Sequence, residues 1–188
     1  MSALDDLVEL LGRPPYRPAK AQDWAEVESF VGSALPSDFK GFLDRYGSGA
    51  MCGELVVFHP RGSSPLLERM REIHELFGHR REEYPEDHPY PFQPEPGGLI
   101  SWGYDPSGDE HFFLPCDPDP EHWKIVTMVH EVGVEVFDGS FAQFALAFVR
   151  RLCKLDAESP QDEPDDEDWD EWAELGLAGP ITPSFEPF

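Results

Sequence analysis

The chain has 188 residues, with 14 Lys and Arg against 38 Asp and Glu, a formal charge of −24. Non-specific nucleic-acid binding and attachment to an anionic membrane surface both need basic residues, so neither partner is expected. No run approaches the roughly 20 apolar residues of a membrane helix, and the acidic start Met1-Ser2-Ala3-Leu4-Asp5-Asp6 is no secretory signal, so the expected location is the cytoplasm.

Leu4, Leu7, Val8 and Leu11 recur at helical spacing, and Gly12 with Pro14-Pro15 ends that helix. A second helix is expected from about Gln22 to Val31, with Trp24, Val27, Phe30 and Val31 on one face. Pro36 or Ser37 opens a third, whose inward residues are Phe39, Phe42, Leu43 and Tyr46; Gly47-Ser48-Gly49 ends it. The period then changes. Glu54–Phe58 is β-branched and aromatic and is closed by Pro60, the pattern of a strand. Pro65 to Phe77 returns to helical spacing through Leu66, Leu67, Met70, Ile73, Leu76 and Phe77. Residues 81–97 hold five prolines and read as a long surface loop.

Three strands are expected next, at Gly98–Tyr104, Glu110–Pro115 and Trp123–Val129. Asp105-Pro106-Ser107-Gly108-Asp109 joins the first two with hairpin chemistry. A last strand, Val132–Phe137, leads to Ser140, which can cap a closing helix with Phe141, Phe144, Ala145, Phe148 and Leu152 on its apolar face. This order is that of an α+β fold. It implies N-terminal helices, a central antiparallel sheet of about five to six strands, and a closing C-terminal helix.

The charge is unevenly spread. Residues 156–188 hold twelve acids and neither Lys nor Arg, which leaves 26 acids and 14 bases, a net −12, for residues 1–155. Pro160, Pro164, Pro180, Pro183 and Pro187 interrupt any long helix in that stretch. The expected organisation is one domain over 1–155, followed by a mobile acidic tail over 156–188. Within the tail Trp169, Trp172 and Leu175 recur every three residues. They give one or two helical turns an apolar edge that can dock on the chain's own body or on a partner.

Catalytic and metal chemistry find little support. Cys52, Cys116 and Cys153 are odd in number and widely spaced, so they read as reduced thiols. His74 and His79 flank Glu75-Leu76-Phe77-Gly78 at i and i+5 rather than i and i+4. That spacing turns the second ring about 140° from the first, too far to share a zinc ion. Both are expected to be solvent-facing polar residues. No phosphate-cradling loop or nucleophile elbow occurs. The acids at 105–110 and 117–121 match turn chemistry better than a twelve-residue calcium loop. No cofactor, metal or catalytic residue is assigned.

Two segments together resemble the SUKH superfamily, which contains fungal cell-wall-synthesis regulators and bacterial immunity proteins of polymorphic toxin systems. The first is Leu35-Pro36-Ser37-Asp38-Phe39, continued by Phe42-Leu43, Tyr46 and Gly47. The second is Ile100-Ser101-Trp102-Gly103, then Gly108-Asp109-Glu110 before an aromatic strand, Trp123-Lys124-Ile125-Val126, and Ser140-Phe141 with Phe144. The resemblance spans roughly Gln22 to Leu152. The 81–97 insertion and the acidic tail fall outside the pattern.

The resemblance implies a binding domain without shared catalytic residues, and for a bacterial member an immunity protein that blocks a cognate toxin, often a nuclease. The charge agrees independently, because an acidic protein is steered towards a basic one. The contact residues expected for such a partner are Trp102, Tyr104, Asp105, Asp109, Glu110, Asp117, Asp119 and Glu121. The competing reading makes Trp102 a core aromatic and the acids solvated turn residues. An alternative function is a regulatory or scaffold protein whose acidic, Trp-bearing tail engages the partner.

Overall fold

The computed structural model describes residues 2–14, 21–130, 132–155 and 181–188. Helix α1 (Ala3–Leu11) starts with a reciprocal cap, in which the Ser2 hydroxyl accepts the Asp5 N–H and the Asp5 carboxylate accepts the Ser2 N–H. Helices α2 (Ala21–Val31) and α3 (Ser37–Tyr46) follow. Their inward residues Trp24, Val27, Val31, Phe39, Phe42, Leu43 and Tyr46 are buried as the spacing predicts. Two buried rings are among the polar tethers that fix these helices. Trp24 Nε1 donates to Asp44 Oδ1 at 2.9 Å, and the Tyr46 hydroxyl donates to the Gly12 carbonyl at 2.6 Å.

Among the described residues the sheet has seven antiparallel strands: β1 (Gly49–Met51), β2 (Leu55–Val57), β3 (Ile100–Tyr104), β4 (Glu110–Leu114), β5 (Lys124–Val129), β6 (Gly133–Phe137) and β7 (Phe185–Pro187). Their spatial order is β6-β5-β4-β3-β2-β1-β7. Helix α4 (Leu66–Glu83) lies between β2 and β3 in the chain, and α5 (Phe141–Leu152) follows β6. The α+β class holds, but five to six strands was too few. The two missed strands are three residues long and make the β1·β7 pair. Gly49, read as a helix terminator, opens β1 because β7 passes close by. A Cβ there would meet the Glu186 carbonyl and the Phe185 ring at 2.5 Å.

The chain therefore does not close on a helix. After α5 it returns to the sheet at β7, where Phe185 packs 5.0 Å from Tyr46 and 5.8 Å from Phe42. Pro187 is compatible with strand structure there because β7 is an edge. Trp169, Trp172 and Leu175 lie outside the described residues.

The 65–77 helix and the 81–97 loop also need correction. Helix α4 runs through Gly78 to Glu83 and stops before Tyr84-Pro85, where the proline disfavours helical geometry for the preceding residue. The loop beyond is not all surface. Phe92 is buried, bridges to Leu99, and joins Ile73, Phe77, Phe112, Val126 and Met128 in a second core on one face of the sheet. The larger core gathers residues of α1, α2, α3 and α5 with Trp102, Phe113 and Ile125.

His74 is not solvent-facing. It is buried, stacks on Phe30 at 5.9 Å, and its Nε2 accepts the Ser101 N–H at 2.9 Å. Strand β2 ends at Val57, opposite Gly103, so no β2 residue pairs with Ser101. The imidazole takes the place of that partner. His79 is exposed.

The three cysteines are free thiols, but two are neighbours, with Cys52 Sγ and Cys153 Sγ 3.8 Å apart. Burial and the adjacent Cys52 push the Cys153 pKa up to about 11, so it stays a protonated, poorly nucleophilic thiol at neutral pH. Cys116 is exposed. Iodoacetamide at pH 7.5 is expected to alkylate Cys116 well before Cys153, as read from labelled tryptic peptides. Equal rates at the two positions would contradict this placement. No helix among the described residues is long and apolar enough to cross a membrane.

Candidate functional site

The β3–β4 hairpin turns through Asp105–Asp109. Asp105 Oδ1 accepts the N–H groups of Ser107 and Asp109, at 2.9 and 3.3 Å, and the Asp105 N–H bonds the Asp109 carbonyl. These are the bonds of an aspartate-initiated turn. Asp109 Oδ1 in turn accepts the His130 N–H at 2.8 Å, joining the hairpin to the end of β5. Burial raises the Asp105 pKa above the ordinary carboxyl range.

Alternation along β4 sends His111 to the face that α5 covers. Its ring lies 5.1 Å from Trp102 and 5.3 Å edge-on to Phe144. It is 2% exposed, and burial pulls its pKa down to about 4, so it is neutral at pH 7. His111 Nδ1 bonds Thr127 Oγ1 at 3.0 Å. Nε2 has no hydrogen-bond partner and stands 3.8 Å from Asp105 Oδ2. These residues border a cavity of about 310 Å³ that Asp109, Glu135 of β6, Phe137, Phe144, Phe148 and Arg151 complete. Its polar lining is mostly acceptor. Thr127, His111 and Asp105 follow the order of nucleophile, base and carboxylate, but no hydrogen bond closes the last link.

The eight contact residues expected from sequence do not form one patch. Trp102 is 0% exposed and touches the rings of Phe39, Phe113, Phe141 and Phe144, so it offers no surface. Asp105 and Asp109 line the cavity. Glu110 is turned away from it and pairs with Arg69, whose guanidinium sits 5.0 Å over the Tyr104 ring. Burial pushes Glu110 up to about 7 against the opposing pull of Arg69. Tyr104 is half-buried beneath that pair.

Asp117, Asp119 and Glu121 are exposed, but they lie past the other end of β4. Six residue steps at strand rise separate Asp109 from Pro115, roughly 20 Å. They also have local tasks. Asp117 Oδ1 accepts the Asp119 N–H, and Asp119 Oδ1 caps the short 3₁₀ turn Pro120–His122. Glu121 receives the Ser37 N–H at 2.7 Å and the Ser37 hydroxyl at 2.8 Å. It thereby places a negative charge at the start of α3, where the helix dipole favours one.

The model of the SMI1 / KNR4 family (SUKH-1) matches residues 18–146. The chain belongs to that family. No curated protein matches it. The matched span of this SUKH-1 domain runs from before α2 into α5, and strand β7 lies beyond it. Most of the cavity falls inside the match, while Ala147, Phe148 and Arg151 fall after it. Sequence reading missed His111, Thr127 and Glu135. The signal for His111 was present, since a polar residue stands where β4 alternation points into the core.

Proposed function

We propose that this SUKH-1 chain is a non-catalytic, cytoplasmic immunity protein that binds and neutralises a cognate basic toxin. The observation that carries the reading is the family match joined to a −24 charge and an acceptor-lined cavity at one end of the sheet. A nuclease fits such a partner, because its anionic substrate selects a basic surface. An acidic domain is steered to that surface and competes for it.

Co-expression with a basic nuclease-toxin domain put forward as its cognate tests the reading. Growth should be restored, the two chains should co-elute, and affinity should fall steeply as salt rises. Toxicity unchanged by the protein overturns the immunity role, and salt-indifferent affinity overturns the electrostatic part. The double substitution Trp169→Ala with Trp172→Ala keeps β7 and separates this reading from tail-mediated scaffolding. Binding by the body survives that change, whereas binding by the tail vanishes.

A further inference from the structure

Strand β6 is the outer strand at one end of the sheet and pairs only with β5 among the described residues. Its sequence, Gly133-Val134-Glu135-Val136-Phe137, contains neither the proline nor the lysine that commonly guards such an edge. Val136 is 48% exposed, and Val132 just before the strand is 78% exposed. The opposite edge, β7, ends on Pro187. Among the described residues one edge therefore ends on a proline and the other has no strand beside it.

The β6 edge borders the cavity, because Glu135, Val136 and Phe137 line both. Inside, the unpartnered His111 Nε2 faces Asp105 Oδ2, with Asp109 and Glu135 alongside. Three carboxylates converge here on a single imidazole, so the group carries more acceptor atoms than the hairpin N–H groups satisfy. Arg151 is the one cation of the lining among the described residues, and its guanidinium lies 5.8 Å over the Phe148 ring. A planar guanidinium supplies several donors in a fixed fork, and its faces suit an aromatic wall.

We propose that β6 accepts an extended basic segment of a partner protein as an added strand, and that an arginine of that segment enters the cavity beside Asp105, His111 and Glu135. This rests on the reading of the chain as a binder of a basic protein and names the surface used. Main-chain pairing supplies affinity in this mode, and the side-chain pocket supplies selectivity. A second copy of the chain is the wrong occupant. Antiparallel self-pairing centred on Glu135 sets two glutamates opposite each other, and each copy carries −24.

The test uses the full ¹⁵N-labelled chain with two probes, the acetylated and amidated peptide Thr-Arg-Val-Arg-Val-Arg-Thr and N-acetyl-arginine amide. The peptide should protect outward β6 amides from exchange and shift the His111 ring signals, while the small amide should shift His111 alone. Glu135→Lys and Val136→Lys, both at exposed positions, should each weaken peptide binding at least tenfold with the fold retained. The same peptide with Glu for Arg should not bind.

Peptide signals confined to residues 156–180, unprotected β6 amides, a dimer through β6, or wild-type affinity in Glu135→Lys would each overturn the proposal. The cognate toxin distinguishes the two levels. Capture that is undiminished in both lysine variants removes the β6 site and leaves the immunity role. No capture by the wild type removes the immunity role, and the peptide result stands or falls separately.

Discussion

Trp102→Ala is expected to lower stability by about 3–5 kcal/mol, the range for deleting a large aromatic from a packed core. The indole is 0% exposed and lies within 6.2 Å, centroid to centroid, of Phe39, Phe113, Phe141 and Phe144. These rings come from α3, β4 and α5, so one truncation leaves a void shared by three elements. A domain with about 5–15 kcal/mol in hand would be close to unfolding. Trp102→Phe should cost much less. The Trp102 Nε1 has no hydrogen-bond partner, so its removal recovers part of the penalty of a buried, unmade bond. Urea titrations followed by circular dichroism measure both, with the m-value checking that the unfolding reaction is unchanged. If the alanine variant keeps the wild-type midpoint, Trp102 is not in the core. Loss of toxin binding in that variant would report unfolding rather than a lost contact.

The contrast between Trp102 and its neighbours shows what could be read from the sequence. Helix α5 was legible because Ser140 and Gln143 form a capping box before an apolar stripe, and both signals are local. Strands β3 to β6 were legible because turn residues separate β-rich runs. Strands β1 and β7 were not, since three residues carry no period and β7 lies among acids and prolines. Their pairing is fixed by Phe185 reaching the rings of Phe42 and Tyr46, which is a tertiary fact. His74 was available in the spacing, because Met70, Ile73, His74 and Phe77 form one i, i+3, i+4, i+7 stripe. Treating histidine as polar concealed it.

The site was less legible than the fold. Asp105 and Asp109 were found through turn chemistry. Their role beside His111 depends on Phe144 and Phe148 of α5 lying across β4 to β6, and no local pattern encodes that superposition. Counting acids also overstated the patch. Glu110 is committed to Arg69, and Glu121 to the start of α3.

Acid is expected to destabilise the protein between pH 6.5 and 4 through His74 and His111. Burial lowers both to about 4 from an ordinary 6.5, so in that window the folded chain binds fewer protons than the unfolded one. Their contribution is complete above pH 6.5 and is lost as pH falls towards 4. At pH 5 the loss is about 2 kcal/mol for each. Glu110 works in the opposite sense. Its folded pKa is raised to about 7 from 4.5, so it binds more protons when folded, and it adds stability as pH falls from 7 to 4.5. Asp105, also raised by burial, acts in the same direction as Glu110. The wild-type acid limb is therefore a shallow difference between opposed groups. Removing members of either group should separate them. Glu110→Gln deletes the offset and should steepen the loss between pH 7 and 5. His111→Phe keeps a ring between Trp102 and Phe144, leaves the Thr127 hydroxyl without its partner, and should start less stable at pH 8 but decline more slowly below pH 6.5. Urea midpoints at pH 8, 6 and 5 give the three slopes. Parallel slopes for all three proteins would mean that neither His111 nor Glu110 titrates differently in the folded and unfolded chains.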